Sequence, residues 1–293
     1  MRLLRLRQLR RRRQKSKLQG PPRISTGGSL LGMLFIDTVT FRKFGDIFRC
    51  EQLALPLRRK IGLSPITLLE VLSQLSSPAS AEVLSQIRSM RNWLDPENTA
   101  LLPWVTDVIS SVVLGVAREE DITRSYQNAV EACFIEDPKE IQERATVIRT
   151  LTDRIKDETA DAFGALVDAA RHERPTEEYV KEIWMQRVAA RVDVALTPAR
   201  RDALATGLDA YWEIEFLKLT RASRARLYNA RNHRNDIFDF EQLIYLSIRE
   251  LHFLTMDTGF SRVARSPQRN RIHVFPANHF GSPEAVVRFI DQL

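Results

Sequence analysis

Only two cysteines, Cys50 and Cys133, occur among 293 residues, and neither stands in a Cys/His spacing that would hold zinc. That excludes a disulfide scaffold and a zinc module. Two isolated thiols fit a reducing, cytoplasmic compartment, where each reads as a small buried apolar group. Long apolar runs are missing too. The best candidate, residues 101–117 (LLPWVTDVISSVVLGVA), is marginal in length and carries Asp107 near its middle. A membrane span needs about 20 apolar residues, and a central Asp costs about 2.5–3.5 kcal/mol on insertion scales. A buried core helix is the better reading of that stretch, and no membrane is expected as a partner. Residues 30–36 are too short for a signal peptide, run into Asp37 and lack a small-residue cleavage site. There is no internal repeat and no low-complexity tract.

Acids are absent from residues 1–36, which hold ten of the 44 basic residues: Arg2, Arg5, Arg7, Arg10 to Arg13, Lys15, Lys17 and Arg23. The remaining 34 face 37 acids, so the formal charge of +7 belongs to the tail and the body is slightly acidic. Three readings of the tail stand side by side. It is an arm that binds polyanions through phosphate contacts, a solvated leader without a role, or an upstream extension with the start at Met33. Gly20-Pro21-Pro22 and Gly27-Gly28 close it as a linker.

With 44% hydrophobic residues the body can bury a sizeable core. Leu31–Ile36 (LGMLFI) is a continuous apolar run that reads as a buried strand of a parallel sheet. Ile61–Leu63 is a second short apolar piece. Ser64 suits an N-cap and Pro65 a first helical position, which predicts a helix from there through Leu75 with Ile66, Leu69, Leu72 and Leu75 on one stripe. From Ala79 to about Thr220 the texture is helical throughout, with breaks at Asp137-Pro138, Arg174-Pro175 and Thr197-Pro198. No chemistry is evident in that middle region. Beyond it, Asp239–Glu250 reads as a core-facing helix carrying Leu243, Ile244, Tyr245 and Ile248. His252–Met256 and Arg271–Phe275 read as strands and Pro283–Gln292 as a closing helix. This order implies an α/β fold with a mostly parallel central sheet, in which sites lie at the carboxyl ends of strands. Asp37 and Asp257 both hold such positions. A third strand cannot be placed from the residues.

Four segments occur in an order that resembles the PIN-domain nucleases: FIDT around Asp37, SPITLLE around Glu70, NDIFDFEQLIYL around Asp239, and LTMDTGF around Asp257. The 18 residues from Asp239 to Asp257 equal one helix plus one strand, which is similar to the family's link between its third and fourth acids. The resemblance covers roughly residues 33–77 and 225–280. It implies a three-layer PIN-like core over 33–77 and 220–293, a basic tail over 1–32, and a large all-helical insertion over 78–219. It also implies that Asp37, Glu70, Asp239 and Asp257 are catalytic and bind Mg²⁺ or Mn²⁺, with Thr38 and Thr255 in support. Asp236, one helical turn before Asp239, is a fifth metal-binding candidate, or an acid that favours the helix N-terminus. Hard cations take oxygen ligands, and a bound metal lowers the pKa of a water and neutralises phosphate charge. Read singly, each acid has a plain structural role: strand end, solvated helix residue, helix N-terminus, turn former.

Residues 218–234 (KLTRASRARLYNARNHR) hold Lys218, Arg221, Arg224, Arg226, Arg231 and Arg234 and no acid, and they lead directly to Asp236 and Asp239. A cationic helix beside an acidic metal site suits a phosphodiester substrate. It is also what a solvated helix face looks like. Tyr228 either stacks on a base or packs on the core, and His233 reads as a surface residue. The expectation is a metal-dependent endoribonuclease acting on single-stranded RNA, for example as a toxin or defence component, with a protein inhibitor or a homodimer compatible with that role. The alternative is a catalytically idle PIN-like domain whose helical insertion binds protein or RNA.

Overall fold

In a computed structural model of the chain, residues 33–47, 60–77, 81–85, 100–115, 137–173, 176–275 and 282–293 are described. The basic tail with its linker, Cys50 and Cys133 lie outside the described residues. Met33–Ile36 forms strand β1, and the strict alternation of a strand sends its side chains to two different cores. Met33 and Phe35 enter one apolar cluster, while Leu34 and Ile36 enter another on the opposite face. Both faces of the strand are therefore covered by helices, which is why it reads as an unbroken apolar run.

The sheet has five strands, all parallel, in the order β3-β2-β1-β4-β5. β2 is Ile61–Leu63, β3 Ala100–Leu101, β4 Leu251–Thr255 and β5 Ile272–Val274. The chain moves outward from β1 through β2 to β3, then returns to β4 on the other side of β1. This doubly wound order reverses between β1 and β4, and clefts for ligands open at the carboxyl ends of strands at such a reversal. Asp37 follows β1 and Asp257 lies just beyond β4.

Helix α1 (Thr38–Ile47) and helix α2 (Pro65–Gln74) cover the Leu34/Ile36 face, joined there by the closing helix α9 (Pro283–Asp291). On the Phe35 face, Phe35 stacks on Phe253 at 4.8 Å and meets Tyr245 at 5.6 Å. Beneath them pack α3 (Val105–Leu114), α5 (Glu177–Arg191), α6 (Pro198–Gly207) and α7 (Asp209–Arg224). The long helix α4 (Pro138–Glu173) spans both cores: Ile141 and Ala145 pack with the first face, and Phe163, Leu166 and Val167 with the second. Among the described residues no helix is long and apolar enough to cross a membrane.

Three expectations about local structure need correction. The stretch 101–117 is not one helix. Leu101 belongs to β3, Leu102 donates its N–H to Leu63 O at 2.9 Å, and the helix begins only at Val105. Pro103 disfavours a helical conformation at the residue before it, which leaves that residue free to pair with the sheet. The region 78–219 is accordingly not all-helical, since it supplies the edge strand β3. Residues 239–250 are not one α-helix either. Helix α8 (Arg234–Phe240) gives way to a 3-10 helix at Glu241–Ser247. The six residues Glu241 to Leu246 are all buried, which exceeds what one stripe of a surface helix can hide, and the tighter winding lets the segment run through the interior.

The α2 start forms as its residues imply. Ser64 is the N-cap, its Oγ accepting from Thr67 N at 3.2 Å, with Pro65 in the first turn. The same hydroxyl donates to Gln242 Oε1 at 2.9 Å, and Gln242 Nε2 donates to Thr67 Oγ1 at 3.1 Å. This buried network ties α2 to the segment that follows Asp239. Replacing Ser64 with Ala removes a cap worth about 0.5–2 kcal/mol and leaves a buried amide oxygen without its donor. The expected destabilisation is about 2–3 kcal/mol, read as a lower urea midpoint at unchanged m-value; a change under about 0.5 kcal/mol would show that the network does not hold α2 in place.

Candidate active site

The carboxyl end of the sheet collects the acids. Asp37, buried at 4% exposure, stands where β1 enters α1. Its Oδ1 accepts from Thr40 N at 2.8 Å, and its Oδ2 accepts from Thr255 Oγ1 at 2.5 Å. Thr255 in turn accepts from Asp257 N at 2.9 Å, and Thr40 Oγ1 accepts from Met256 N at 3.1 Å. The ends of β1 and β4 are thus laced together by two threonine hydroxyls. Glu70, also buried, is brought alongside because Thr67 Oγ1 donates to Ile36 O at 2.9 Å, pinning α2 to the last residue of β1. Thr38 Oγ1 donates to Glu70 Oε2 at 2.6 Å. Both supporting threonines therefore bond directly to an acid.

Asp257 sits at the exposed rim. Its Oδ1 accepts from Gly259 N at 2.7 Å, capping a 3-10 helix at Thr258–Arg262. A Cβ added at Gly259 would lie 2.9 Å from that same oxygen, so glycine is what lets the carboxylate fold over its own turn. Asp239, half-buried on α8, makes no side-chain hydrogen bond among the described residues. Burial pushes its carboxyl well above the ordinary range, and the nearby charges of Glu70, Asp37 and Asp257 push the same way, against the pull of Lys156. Burial likewise raises Asp37, opposed by the bonds from Thr255 and Thr40. Asp239 thus feels the charges of Glu70, Asp37 and Asp257, and Asp37 that of Asp257.

Lys156, on α4, is the residue that the sequence did not reveal. Its ammonium donates to Glu70 Oε1 at 2.5 Å and to Asn235 Oδ1 at 3.0 Å, and lies 5.1 Å from the centre of the Phe238 ring. It comes from the region that showed no chemistry in sequence. No local signal could have found it, since it stands 86 residues from Glu70 and the metal expected from the resemblance already accounted for the acids' counter-charge.

The basic segment divides. Lys218 pairs with Asp236 at 2.6 Å; Arg231 forms a two-pronged pair with Asp161 at 2.7 Å; Arg234 pairs with Asp157 at 2.7 Å and Asp153 at 3.0 Å. Arg234 holds the start of α8 against α4, Arg231 holds the residues just before it there, and Lys218 ties α7 to α8. Arg221, Arg224 and Arg226 are exposed and make no ion pair among the described residues. The segment is not one helix: α7 ends at Arg224, Ala225 is extended, and a short 3-10 helix follows at Ala230–His233. Asp236 lies in the first turn of α8. It is exposed, paired with Lys218 and 3.6 Å from the His233 ring, outside the group of four. Tyr228 packs inward, stacked on His233 at 5.0 Å and edge-on to Phe163 at 6.3 Å. His233 is exposed as expected.

Compared with known protein families, curated proteins and solved structures, the chain matches none. Its chemistry therefore has to be argued from the geometry alone. As placed, no three His, Cys, Asp or Glu side chains among the described residues stand close enough to hold an ion together. Without a cation the cluster carries repulsion, which sets a pH dependence. Asp239 titrates above its unfolded value of about 3.8, so between that value and its raised one the folded state holds a proton that the unfolded state has released. Its contribution is present at low pH and is lost as pH rises through the folded value. Asp239→Asn is expected to stabilise the protein in EDTA, with the gain in Tm larger at pH 8 than at pH 5. Parallel pH profiles for the two proteins would contradict this.

Proposed function

We propose that the chain is a metal-dependent nuclease, similar to the PIN-domain enzymes, that cleaves single-stranded RNA internally. The observation that carries the reading is Asp239: a half-buried acid with no hydrogen-bond partner among the described residues, within electrostatic reach of Asp37, Glu70 and Asp257, two of which follow the strands at the reversal point of a parallel sheet. An arrangement that raises the cost of its own charge is suited to a cation with hard oxygen ligands, and the donor set is carboxylate throughout. Mg²⁺ or Mn²⁺ would be held by Asp37, Asp239 and Asp257, with Glu70 beside them. Bound there, such an ion supplies a water of lowered pKa and neutralises charge on the phosphate.

The chain's own residues do the rest. Thr255 and Thr40 N hold the Asp37 carboxylate in one orientation, and Thr38 does the same for Glu70. Such bonds fix the direction in which ligand lone pairs point. Asp257 stands at the open rim, where a phosphodiester would enter. Arg221, Arg224 and Arg226 offer exposed guanidinium groups, without an ion pair among the described residues, at and beyond the end of α7 to seat the backbone of a strand.

A second reading is favoured by one observation. Lys156 already neutralises Glu70, and the acids as placed do not chelate, which suits an idle PIN-like module that binds RNA or protein. Cleavage decides between the two. With Mg²⁺ or Mn²⁺ the protein is expected to cut a labelled single-stranded RNA. Asp37→Asn and Asp257→Asn should each slow it about 10²–10³-fold, the scale seen when one positioned group that stabilises transition-state charge is removed. Cutting that resists EDTA and survives both substitutions would end the metal reading. Replacing Arg221, Arg224 and Arg226 together with Gln should weaken RNA binding and flatten its salt dependence, by about 0.7 in slope for each phosphate that is no longer neutralised. An unchanged slope would move the RNA path elsewhere.

A further inference from the structure

Lys156 has a place too specific for a surface lysine. Its side chain is 9% exposed, and its ammonium has three N–H groups with three directions to satisfy: Glu70 Oε1 at 2.5 Å, Asn235 Oδ1 at 3.0 Å, and the face of Phe238 at 5.1 Å. Around it α4 makes a clamp. Asp153, Asp157 and Asp161, on the same side of that helix, hold Arg234 and Arg231, which lie beside and just before Asn235 in the chain. The lysine is thus carried to Glu70 by a scaffold of ion pairs, and it cannot swing away without giving up the Asn235 bond.

The charges then limit what else can enter. Ionised, Asp37, Glu70, Asp239 and Asp257 sum to four negative charges, which two divalent ions about 3.5–4 Å apart would balance in a two-metal centre. Thr38, Thr40 and Thr255 offer hydrogen bonds to these acids but no charge. Lys156 offers a full positive charge, and offers it at Glu70, the acid that stands on α2 and not at a strand end. A second metal on Glu70 would have to sit against a buried ammonium, where like charges are poorly screened by water.

We propose that Lys156 takes the place of a second metal ion, so that the cluster is a one-metal centre closed on its Glu70 side by the protein's own cation. This rests on the metal-dependent reading above and adds a stoichiometry to it. The α4 helix is then part of the active site, and the reaction proceeds with a fixed charge beside Glu70 in place of an exchangeable one.

The test counts ions on the full chain, by titrating Mn²⁺ and following the free ion by electron paramagnetic resonance. The wild type should bind one Mn²⁺ per chain. Lys156→Met, similar in length but uncharged, should bind two, and Lys156→Arg should remain at one. If Lys156→Met folds only with metal present, the protein is refolded in Mn²⁺ and desalted before counting, with two ions again expected. Two ions on the wild type, or one on Lys156→Met with a native circular dichroism spectrum, would overturn the proposal while leaving a metal-dependent nuclease intact. No Mn²⁺ on either protein, with no cleavage by the wild type, would instead overturn the functional reading beneath it.

Discussion

Two like charges 4 Å apart repel by about 4 kcal/mol at the effective dielectric of a protein surface, and by more as water is withdrawn. The end of this parallel sheet gathers four carboxylates, two of them buried, so that repulsion is the constraint to which the surrounding structure answers. Each buried acid is met by hydrogen bonds aimed at it: Asp37 by Thr255 and a backbone N–H, Glu70 by Thr38 and Lys156. Donors that favour the charged form offset part of the desolvation. Asp239, left without a donor among the described residues, keeps the remaining strain, and burial pushes its carboxyl well above the ordinary range.

The scaffold that bears this strain is assembled from distant parts of the chain. β1 and β4 are neighbours in the sheet although they come from opposite ends of the described chain. Ser64, Thr67 and Gln242 join α2 to the segment after Asp239 through the protein interior. Helix α4 closes the arrangement from outside by pairing three of its acids with Arg231 and Arg234. Partly exposed pairs of this kind are individually worth little, at most about 1 kcal/mol. Their value here is geometric: they set the rotation of α4 that presents Lys156 to Glu70.

Parts of the fold were legible because their signals are local. The apolar run at β1, the Ser64-Pro65 helix start and the breaks at Pro138 and Pro198, where helices α4 and α6 begin, depend on backbone sterics and capping within a few residues. β3 was not legible. Two residues of strand carry no period, and Ala100–Leu101 becomes a strand only because the β2 edge offers backbone groups to pair with. Residues 241–247 misled for a related reason: their apolar spacing suits an α-helix, but Gln242 and Tyr245 are pulled to Thr67 and to Pro103 O, and burial on every side overrides the stripe.

The candidate site divides along the same line. Short segments whose local structure is nearly forced carry the identity and order of the four acids, the threonines beside them and the strand ends on which two of them stand, so all of this could be read before any packing was known. Which charges face one another came from packing. The assembled fold turned Asp236 outward to Lys218, bound half of the basic segment to acids of neighbouring helices, and brought Lys156 from a featureless helix to within 2.5 Å of Glu70. Charges act through space with little regard for sequence separation, so a pairing between residues 70 and 156 leaves no local pattern to read and exists only once the sheet and α4 have packed.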